Sequence, residues 1–340
     1  MVALQTTRRP PVPTYAVSMG PVSMPIVDLR SHDAAAAIDA ACRRFGFFAV
    51  SNHGTPDELR VALLNAAAEF FALPRSVKDA VSLAHGGTAW RGWFPLEGEL
   101  TSGVPDLKEG YYFGTEGPPS SRPLHGPNVW PERPASMRRL VSEWMAAMHG
   151  IGQHILSLMA QGLGLPRSFF VDGLTGEATE LFRIFRYPPQ SPRSATGADD
   201  NRWGVGEHTD YGLLTLLAHD GSAGLEVKVG ERWLEAPDDP ALIVCNLGDM
   251  LDRLTSGRYR STPHRVRNLN TVDRYSLPYF LDPGWDAIVD PLPIDDDFRV
   301  SADASARWDR TDLQQISGTY GDWLWTKVSK VFPDLASQAD

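Results

Sequence analysis

Cysteine is scarce in this sequence, and that scarcity excludes one large class of proteins. The 340 residues include only two cysteines, too few for the disulfide framework of a small secreted domain. Cys42 and Cys245 both stand in apolar surroundings, AACRRFGFF and ALIVCNLGDM. We therefore expect two buried, reduced and unlinked thiols, as in a protein of the reducing cytoplasm.

Long apolar runs and an excess of positive charge are also missing. No segment reaches about 18 uninterrupted apolar residues, and the opening MVALQTTRRPPVPTYAVSMG lacks the apolar core of a signal peptide. The 42 acidic residues outnumber the 32 basic ones, which gives a net charge of -10. We therefore expect neither export nor membrane spanning, and neither nucleic acid nor an anionic membrane as the main partner.

The sequence does contain enough apolar material for a substantial core. With 42% hydrophobic residues, the chain can form one large domain or two small ones. Before about Glu180, apolar residues recur mostly at helical spacing, whereas short β-rich runs separated by Gly, Pro and Asp turns follow it. The second texture is typical of a sandwich or a barrel.

Individual segments can be assigned from their periodicity. Strands are predicted in MPIVDL and FFAVSNHG, and helices in DAAAAIDAACRRFG with Asp33 as its cap, in DELRVALLNAAAEFFALP, in the long run that ends at Gly162, and in RTDLQQISGTYGDWLWTKVSKVF. Six more strands are predicted after Glu180: ELFRIFRYP, LLTLLAHD, GLEVKV, RWLEA, ALIVCNL and RYSLPYFLDP. The polar stretch Gln190–Trp203 is expected to be a mobile loop rather than a domain linker.

One short stretch, GEHTDYGLLTLL, combines a histidine and acids with an apolar strand. In a strand, residues i and i+2 project to the same face, so His208 and Asp210 can grip one cation. Taken alone, His-x-Asp is more often a turn or a surface pair, and two ligands are too few for a tight site. His264, in STPHRVRN, is the candidate third ligand. Two histidines and one carboxylate form the facial triad of non-haem Fe(II), which leaves positions open for substrate and O₂.

A possible co-substrate site follows in RYS, where Arg274 and Ser276 again form an i, i+2 pair. The polar stretch NLNTVD between His264 and Arg274 is predicted to be a turn, so that a hairpin brings Arg274 back toward the metal. A guanidinium and a hydroxyl near a metal with open positions suit a carboxylate whose other end chelates the metal. That description fits 2-oxoglutarate.

With these residues, the sequence resembles the Fe(II)/2-oxoglutarate-dependent dioxygenases of the isopenicillin N synthase and plant gibberellin oxidase type, including bacterial ethylene-forming enzymes. The resemblance runs from about Pro25 to Phe280. It rests on the motifs PIVDL, FGFFAVSNHG, GVPDLKEGYYFG, HGPNVWP, FRYPPQ, HTDYGLLTLL, NLGDML, STPHRV and RYSLPYF. It implies an α+β fold with a mainly β core, a double-stranded β-helix (jelly roll) with N-terminal and flanking helices.

The resemblance also implies roles for single residues. The implied iron ligands are His208, Asp210 and His264, and the implied contacts of 2-oxoglutarate are Arg274, Ser276 and Tyr187. Many plant members have an asparagine two residues before that tyrosine, where this chain has Phe185, so one polar contact to the co-substrate is in question. Fe(II), 2-oxoglutarate and O₂ are the expected cofactor, co-substrate and oxidant.

The expected organisation is one catalytic unit with four parts. They are an extended lead (1–24), a helical and strand region that packs on the barrel (25–175), the jelly-roll core (176–300) and a C-terminal helical segment (301–340). The region before the barrel is expected to cover the apolar outer face that a lone jelly roll would leave exposed.

Other conspicuous residues have simpler interpretations. Asp249 in NLGDML is expected in a Gly-Asp turn between strands rather than as a fourth ligand. His53, His85, His125 and His219 are expected as loop or strand-end histidines and not as ligands.

The substrate is harder to read. The candidates for its pocket are Arg91 and Phe94 in WRGWFP, with Trp93 beside them, Tyr112 within the stretch 111–113, and Phe280. Aromatic walls and one guanidinium would suit a small organic molecule with a carboxylate or another polar group. Simple core packing is the alternative for all of them.

Three functions remain open from the sequence. The first couples oxidative decarboxylation of 2-oxoglutarate to hydroxylation, desaturation or cyclisation of a small organic molecule in specialised metabolism. The second is an oxidase of the isopenicillin N synthase kind, which uses Arg-x-Ser on the substrate's own carboxylate. The third is a non-catalytic jelly roll with a structural metal, which would need a closed ligand shell. The oligomeric state stays open.

Overall fold

A computed structural model of the chain describes residues 23–101, 103–189, 203–294, 307 and 309–331. Of the predicted N-terminal lead, only the last two residues belong to these ranges. The predicted loop Gln190–Trp203 lies outside the described residues except for Trp203 itself.

Strands form the framework of the described part of the chain. They are β1 (Ile26–Asp28), β2 (Phe47–Ser51), β3 (Gly92–Phe94), β4 (Leu100–Thr101), β5 (Val104–Pro105), β6 (Glu109–Gly114), β7 (Thr179–Tyr187), β8 (Val205–His208), β9 (Leu214–His219), β10 (Leu225–Val229), β11 (Arg232–Glu235), β12 (Ile243–Leu247), β13 (His264–Val266) and β14 (Arg274–Asp282). A major sheet has the order β1-β2-β12-β9-β14-β7-β6-β3, a minor sheet has the order β11-β10-β13-β8, and β4 pairs with β5. The strands predicted after Glu180 are confirmed.

Helices pack around this framework. They are α1 (Ala34–Arg44), α2 (Asp57–Phe71), α3 (Arg75–Asp79), α4 (Met137–Gly162), α5 (Phe169–Gly173), α6 (Asp249–Leu254) and α7 (Tyr320–Val331), with 3-10 turns at Leu83–Ala89 and Leu313–Gln315. The first, second and fourth confirm the helices predicted from periodicity. The predicted C-terminal helix forms only in its second part, because Gly318 has a left-handed backbone (φ 92°) and separates the 3-10 turn from α7.

Two local predictions at helix starts need correction. Asp33 does occupy the N-cap of α1, but its side chain makes no capping bond and instead accepts a hydrogen bond from the Ser31 hydroxyl. Asp249 does not lie in a turn between strands. It is the first residue of α6, where a carboxylate is favoured by the unsatisfied N–H groups of the first turn.

The region before the barrel does more than cover it. Its strands β1 and β2 join one edge of the major sheet, since β2 pairs antiparallel with β12 and parallel with β1. Its strands β6 and β3 join the other edge through the pairing of β6 with β7. Strands from both halves of the chain therefore share one sheet.

Helix α4 packs on the back of this sheet and excludes water from it. Met148, Ile155 and Met159 on its inner face are fully buried, and burial of such a side chain contributes about 1.5–3 kcal/mol. At Gly152 the helix approaches β14 so closely that an added Cβ would lie 2.6 Å from a methyl carbon of Leu281.

No helix in the described ranges, α4 included, has both the length and the apolar character that crossing a membrane requires.

The segment between β13 and β14 crosses from one sheet to the other. The predicted hairpin is wrong, because β13 pairs with β10 and β8 in the minor sheet, whereas β14 pairs with β7 and β9 in the major sheet. Asn268 stabilises the crossing, since its amide donates to the backbone oxygens of Tyr187 (2.7 Å) and Val272 (3.1 Å). The crossing still directs Arg274 into the space between the sheets.

Both cysteines are buried, and neither forms a disulfide. Cys42 lies on α1 and Cys245 on β12. Burial raises the pKa of both thiols. The prediction of two buried, unlinked thiols is confirmed.

Candidate metal and co-substrate site

A cavity of about 670 Å³ lies between the two sheets. The minor sheet contributes both predicted histidine ligands to its wall, and the major sheet contributes Arg274 and Ser276. This volume falls within the range of small-molecule sites.

His208, Asp210 and His264 converge at one end of this cavity. His208 and His264 are direct partners across the β8–β13 ladder, and their ring centroids are 4.1 Å apart. Oδ1 of Asp210 lies 3.8 Å from Nε2 of His208 and 3.7 Å from Nε2 of His264. One ligand atom from each residue lies within 4.8 Å of the others, and this is the only such group of three among the described residues.

In each of the three side chains, the polar atom that does not face the shared point is hydrogen-bonded to the protein. Nδ1 of His208 donates to the Gly206 carbonyl (2.8 Å), and Nδ1 of His264 donates to the Thr262 carbonyl (3.2 Å). Because a carbonyl only accepts, the proton is on Nδ1 and the lone pair of Nε2 faces the shared point.

The carboxylate of Asp210 is likewise held by hydrogen bonds to one of its two oxygens. Its Oδ2 accepts from Thr215 Oγ1 (2.5 Å) and Asn246 Nδ2 (2.6 Å), which leaves Oδ1 toward the histidines. The backbone behind it is fixed as well, since the Asp249 N–H donates to the Asp210 carbonyl (2.7 Å). Gly248 permits this close approach, because an added Cβ would lie 2.2 Å from the Gly212 oxygen.

The protonation states suit metal binding. Burial lowers the pKa of His208, and burial together with the neighbouring His208 lowers the pKa of His264 to about 4. Burial acts to raise the pKa of Asp210, but the two histidines and the two hydrogen bonds to Oδ2 outweigh it and lower that pKa. Two neutral imidazoles and one carboxylate at neutral pH are the donor set that Fe(II) takes in a facial triad.

Arg274, Ser276 and Tyr187 meet on the facing sheet. Arg274 is 1% exposed, its Nε donates to the Ala223 carbonyl (3.2 Å), and its Nη1 has no hydrogen-bond partner in the described part of the chain. Its guanidinium carbon lies 5.0 Å from the Tyr187 ring centroid, and Ser276 Oγ donates to Tyr187 Oη (3.4 Å). A buried guanidinium nitrogen without an acceptor indicates that an anion binds here.

Phe185 occupies the position that is asparagine in many relatives. Phe185 lines the cavity, and the ammonium of Lys108 lies 4.5 Å above its ring. Lys108 is buried and forms ion pairs with Glu99 (2.9 Å) and Asp106 (2.8 Å). The amide of other members is therefore replaced by an aromatic ring and a buried, paired cation.

Only some of the predicted substrate residues line the cavity. Tyr112 and Phe280 line the cavity. Phe94 packs behind Tyr112 and Phe185 (ring centroids 5.2 and 6.4 Å) and is outside the lining. Arg91 is also outside the lining, since its guanidinium is buried over Gly114 and donates to the Leu124 carbonyl (2.7 Å). The alternative of core packing therefore applies to Arg91 and Phe94, and also to Trp93, which is buried outside the lining.

Several cavity residues were missed from the sequence. They are Arg183 on β7 and, from α7, Leu324, Lys327 and Val328. For Arg183 a signal existed: β7 alternates, so Tyr187 marks an inward face that includes Phe185 and Arg183 two and four positions earlier. Nothing in the sequence placed α7 across the cavity.

The residues that were expected not to be ligands lie away from the triad's shared point. Asp249 accepts from the Ser261 hydroxyl (2.7 Å) and pairs with Arg307 (3.1 Å). Three histidines have a ring nitrogen on a backbone carbonyl, namely His53 on Ala241, His85 on Ala80 and His125 on Pro123. The fourth, His219, accepts from the Gly221 N–H through Nδ1 (3.1 Å).

Comparison with known proteins agrees with this geometry. Residues 24–133 match the N-terminal family of the non-haem dioxygenase in morphine synthesis, and residues 178–283 match the 2OG-Fe(II) oxygenase superfamily. A Dictyostelium discoideum protein named as an iron/ascorbate oxidoreductase is 36% identical over 92% of this chain and 95% of its own. The 2-oxoglutarate-dependent dioxygenase caaD of Aspergillus niger is 35% identical over 76% of this chain and 84% of its own.

A solved structure completes the comparison. A 2OG-Fe(II) oxygenase family protein from Caulobacter crescentus superposes with a TM-score of 0.73 at 29% identity, over 90% of this chain and 98% of that one. The predicted jelly-roll fold with flanking helices is thereby confirmed. Members of the matched family need Fe(II), 2-oxoglutarate and O₂. The chain belongs to the 2OG-Fe(II) oxygenase superfamily and is an Fe(II)- and 2-oxoglutarate-dependent dioxygenase.

Proposed function

We propose that His208, Asp210 and His264 hold the iron of this dioxygenase. The observation that carries the proposal is the convergence of two Nε2 lone pairs and Oδ1 of Asp210 on one point, each fixed from behind. Iron bound by these residues would supply the activation of O₂ that the oxidative decarboxylation of 2-oxoglutarate requires. Three protein ligands leave positions for the keto acid and O₂.

Arg274, Ser276 and Tyr187 bind the distal carboxylate of 2-oxoglutarate. Nη1 of Arg274, which has no partner among the described residues, donates to it, and the Ser276 hydroxyl, now a weak donor to Tyr187 at 3.4 Å, can turn toward it. The apolar side chains of Val205, Leu217 and Leu225 line this end of the cavity and exclude water from it.

The organic substrate occupies the other end of the cavity, next to Tyr112 and Phe280. The reaction class is hydroxylation, desaturation or cyclisation of a small molecule. The buried thiols support a cytoplasmic enzyme, and the net charge of -10 supports one that binds neither nucleic acid nor membrane. The similarity to caaD supports a role in specialised metabolism.

An anaerobic titration tests these assignments. Fe(II) and then 2-oxoglutarate are added to the protein, and the visible absorbance of the keto acid on iron is followed. We expect an absorbance band that requires both additions, and formation of succinate once O₂ is admitted. If no succinate forms and 2-oxoglutarate leaves the Fe(II) spectrum unchanged, the assignment of the co-substrate site is wrong and the oxidase alternative takes its place. If Fe(II) binds but accepts no exogenous ligand, the closed structural site is correct.

A further inference from the structure

A second buried guanidinium faces the cavity, at a distance from the co-substrate end. Arg183 is 7% exposed and lines the cavity. It lies four residues before Tyr187 on the same inward face of β7, which corresponds to roughly 13 Å along the strand. Because Tyr187 pairs with Arg274 in the β7–β14 ladder, the two arginines mark two separate subsites of one cavity.

The guanidinium of Arg183 is held in a fixed plane. Its carbon lies 3.6 Å from the Tyr112 ring centroid and 5.9 Å from the Phe280 centroid. Its Nη1 donates to the backbone oxygens of Phe113 (3.0 Å) and Phe182 (3.1 Å). A guanidinium that lies over one aromatic ring and is anchored on one nitrogen is pre-organised for a planar anion.

Arg91 places a second positive charge behind the first. Its guanidinium lies over Gly114, on the face of β6 that also carries Tyr112, and burial together with the neighbouring Arg183 lowers its pKa to about 9. Its Nε and Nη1 have no hydrogen-bond partner within the described residues. Glu116 acts on the charge of Arg91, and Glu99 and Asp282 act on that of Arg183, but no ion pair joins these carboxylates to either arginine in that same part of the chain.

The nearest acidic side chains already have other partners. Glu99 accepts from Tyr112 Oη (2.5 Å) and pairs with Lys108. Asp282 accepts from Tyr320 Oη (2.6 Å) and from the Leu213 N–H (3.0 Å). Within the described residues, nearby carboxylates therefore offset the charges of Arg183 and Arg91 only in part, and neither guanidinium has a dedicated ion pair.

From this arrangement we infer that the organic substrate is a carboxylic acid whose carboxylate binds the guanidinium of Arg183. The inference rests on the proposed function, because it assigns the substrate end of the same cavity. Two neighbouring buried guanidinium groups without an ion pair of their own in the described residues favour the entry of an anion, and a carboxylate matches the guanidinium fork. The apolar body of the acid would lie against Phe280 and the α7 side chains Leu324 and Val328.

Binding of matched acids and amides tests the inference. The probes are benzoate, phenylacetate, 3-phenylpropanoate and hexanoate, each compared with its primary amide. Their binding to the full chain, loaded with Zn(II) in place of Fe(II) and with 2-oxoglutarate, is measured by saturation-transfer NMR. We expect at least one acid to bind about tenfold or more tightly than its amide. If no acid binds more tightly than its amide, the inference is overturned, whatever the variants do.

Variants then locate the carboxylate. Arg183→Gln should remove the preference for the acid, and Arg183→Lys should restore part of it, while 2-oxoglutarate affinity changes by less than about threefold in both. Arg186→Gln is the matched control, since Arg186 lies on the same strand but pairs outward with Glu109 and Asp273. An acid preference that survives Arg183→Gln in a folded protein would contradict the inference.

The proposed function is tested separately from this inference. The unsubstituted enzyme is assayed for succinate from 2-oxoglutarate with no organic acid present. Succinate formation without any preference for acids would overturn the inference and leave the proposed function standing. Absence of succinate would instead count against the proposed function.

Discussion

The two ends of the central cavity are built in different ways. At the metal and co-substrate end, each proposed iron ligand belongs to a short motif on or directly beside β8 or β13, and its second polar atom is bonded to the protein, as for Nδ1 of His208 and Oδ2 of Asp210. At the substrate end, the lining comes from elements that are distant in sequence, among them β6, β7 and α7. There Lys108 forms an ion pair with Glu99, whereas Arg183 forms no ion pair within the described residues.

Because of this difference, the substrate end can change without loss of the chemistry, whereas the metal donors cannot. Donors that are fixed from behind hold one geometry, which a metal site requires. A wall assembled from separate elements can exchange one side chain at a time and so alter the substrate. We therefore expect substitutions of the metal ligands to have large effects on iron binding and substitution of the co-substrate clamp to affect 2-oxoglutarate binding alone. Substitutions at a distance from both should have no effect.

Removal of a metal ligand should have the largest effect. His264→Ala and Asp210→Ala should weaken Fe(II) binding by more than about a hundredfold and abolish succinate formation, because two remaining donors make a weak site. Anaerobic equilibrium dialysis measures the binding. His53→Ala is the matched control, since His53 bonds a backbone carbonyl away from the site. Tight Fe(II) binding and turnover by Asp210→Ala would mean that the triad is misassigned.

Loss of the co-substrate clamp should come next and should leave iron in place. Arg274→Gln should weaken 2-oxoglutarate affinity roughly ten- to several-hundredfold, because charge-assisted hydrogen bonds to the distal carboxylate are lost. Arg274→Lys should recover part of that loss, since an ammonium lacks the planar fork. Spectroscopic titration of the Fe(II) protein gives both affinities. Equal losses of 2-oxoglutarate affinity in Arg274→Gln and Arg183→Gln would contradict the distinction between the two ends of the cavity.

The sequence predicted the fixed end far better than the other one. The i, i+2 rule placed Arg274 with Ser276 on one face of β14, because strand alternation is a local property. It also paired His208 with Asp210, although β8 ends at His208 and Asp210 lies just beyond it. The route between His264 and Arg274 was wrong, since NLNTVD crosses between sheets, and the choice of a pairing partner is set by tertiary contacts such as that of Asn268 with Tyr187.

The substrate end was only partly predictable for the same reason. The aromatic and basic character of WRGWFP indicated a pocket, but the residue types did not tell which side chains line the cavity, and Arg91 is outside the lining. Arg183 was passed over because an arginine in a β-rich run resembles a solvent-facing residue. Its inward direction follows from Tyr187 only once β7 is known to lack a bulge between them.

Weakening the support behind Asp210 should have a smaller effect than removing a ligand. Asn246→Ala removes one of two donors to Oδ2, so the carboxylate loses part of its fixed orientation. We expect Fe(II) affinity to fall about ten- to a hundredfold, with 2-oxoglutarate affinity at saturating iron nearly unchanged. Thr215→Val, which removes the other donor, should behave alike. Affinities equal to those of the unsubstituted protein in both variants would show that the rear contacts do not position the carboxylate.

The smallest effect is expected at the two cysteines, which lie on α1 and β12 and outside the cavity lining. Burial raises the pKa of Cys42 and Cys245 above the ordinary value, about 8.5 for an exposed thiol. Alkylation of the native protein by iodoacetamide should therefore stay slow as the pH rises from about 7 to about 9, whereas the urea-unfolded protein should react faster as its thiols ionise. Mass spectrometry counts the modified thiols, and reductant should change neither Fe(II) affinity nor succinate formation. A bridge between Cys42 and Cys245 in the native protein, or alkylation that accelerates with pH as in the unfolded chain, would contradict the buried thiols on which the cytoplasmic assignment depends.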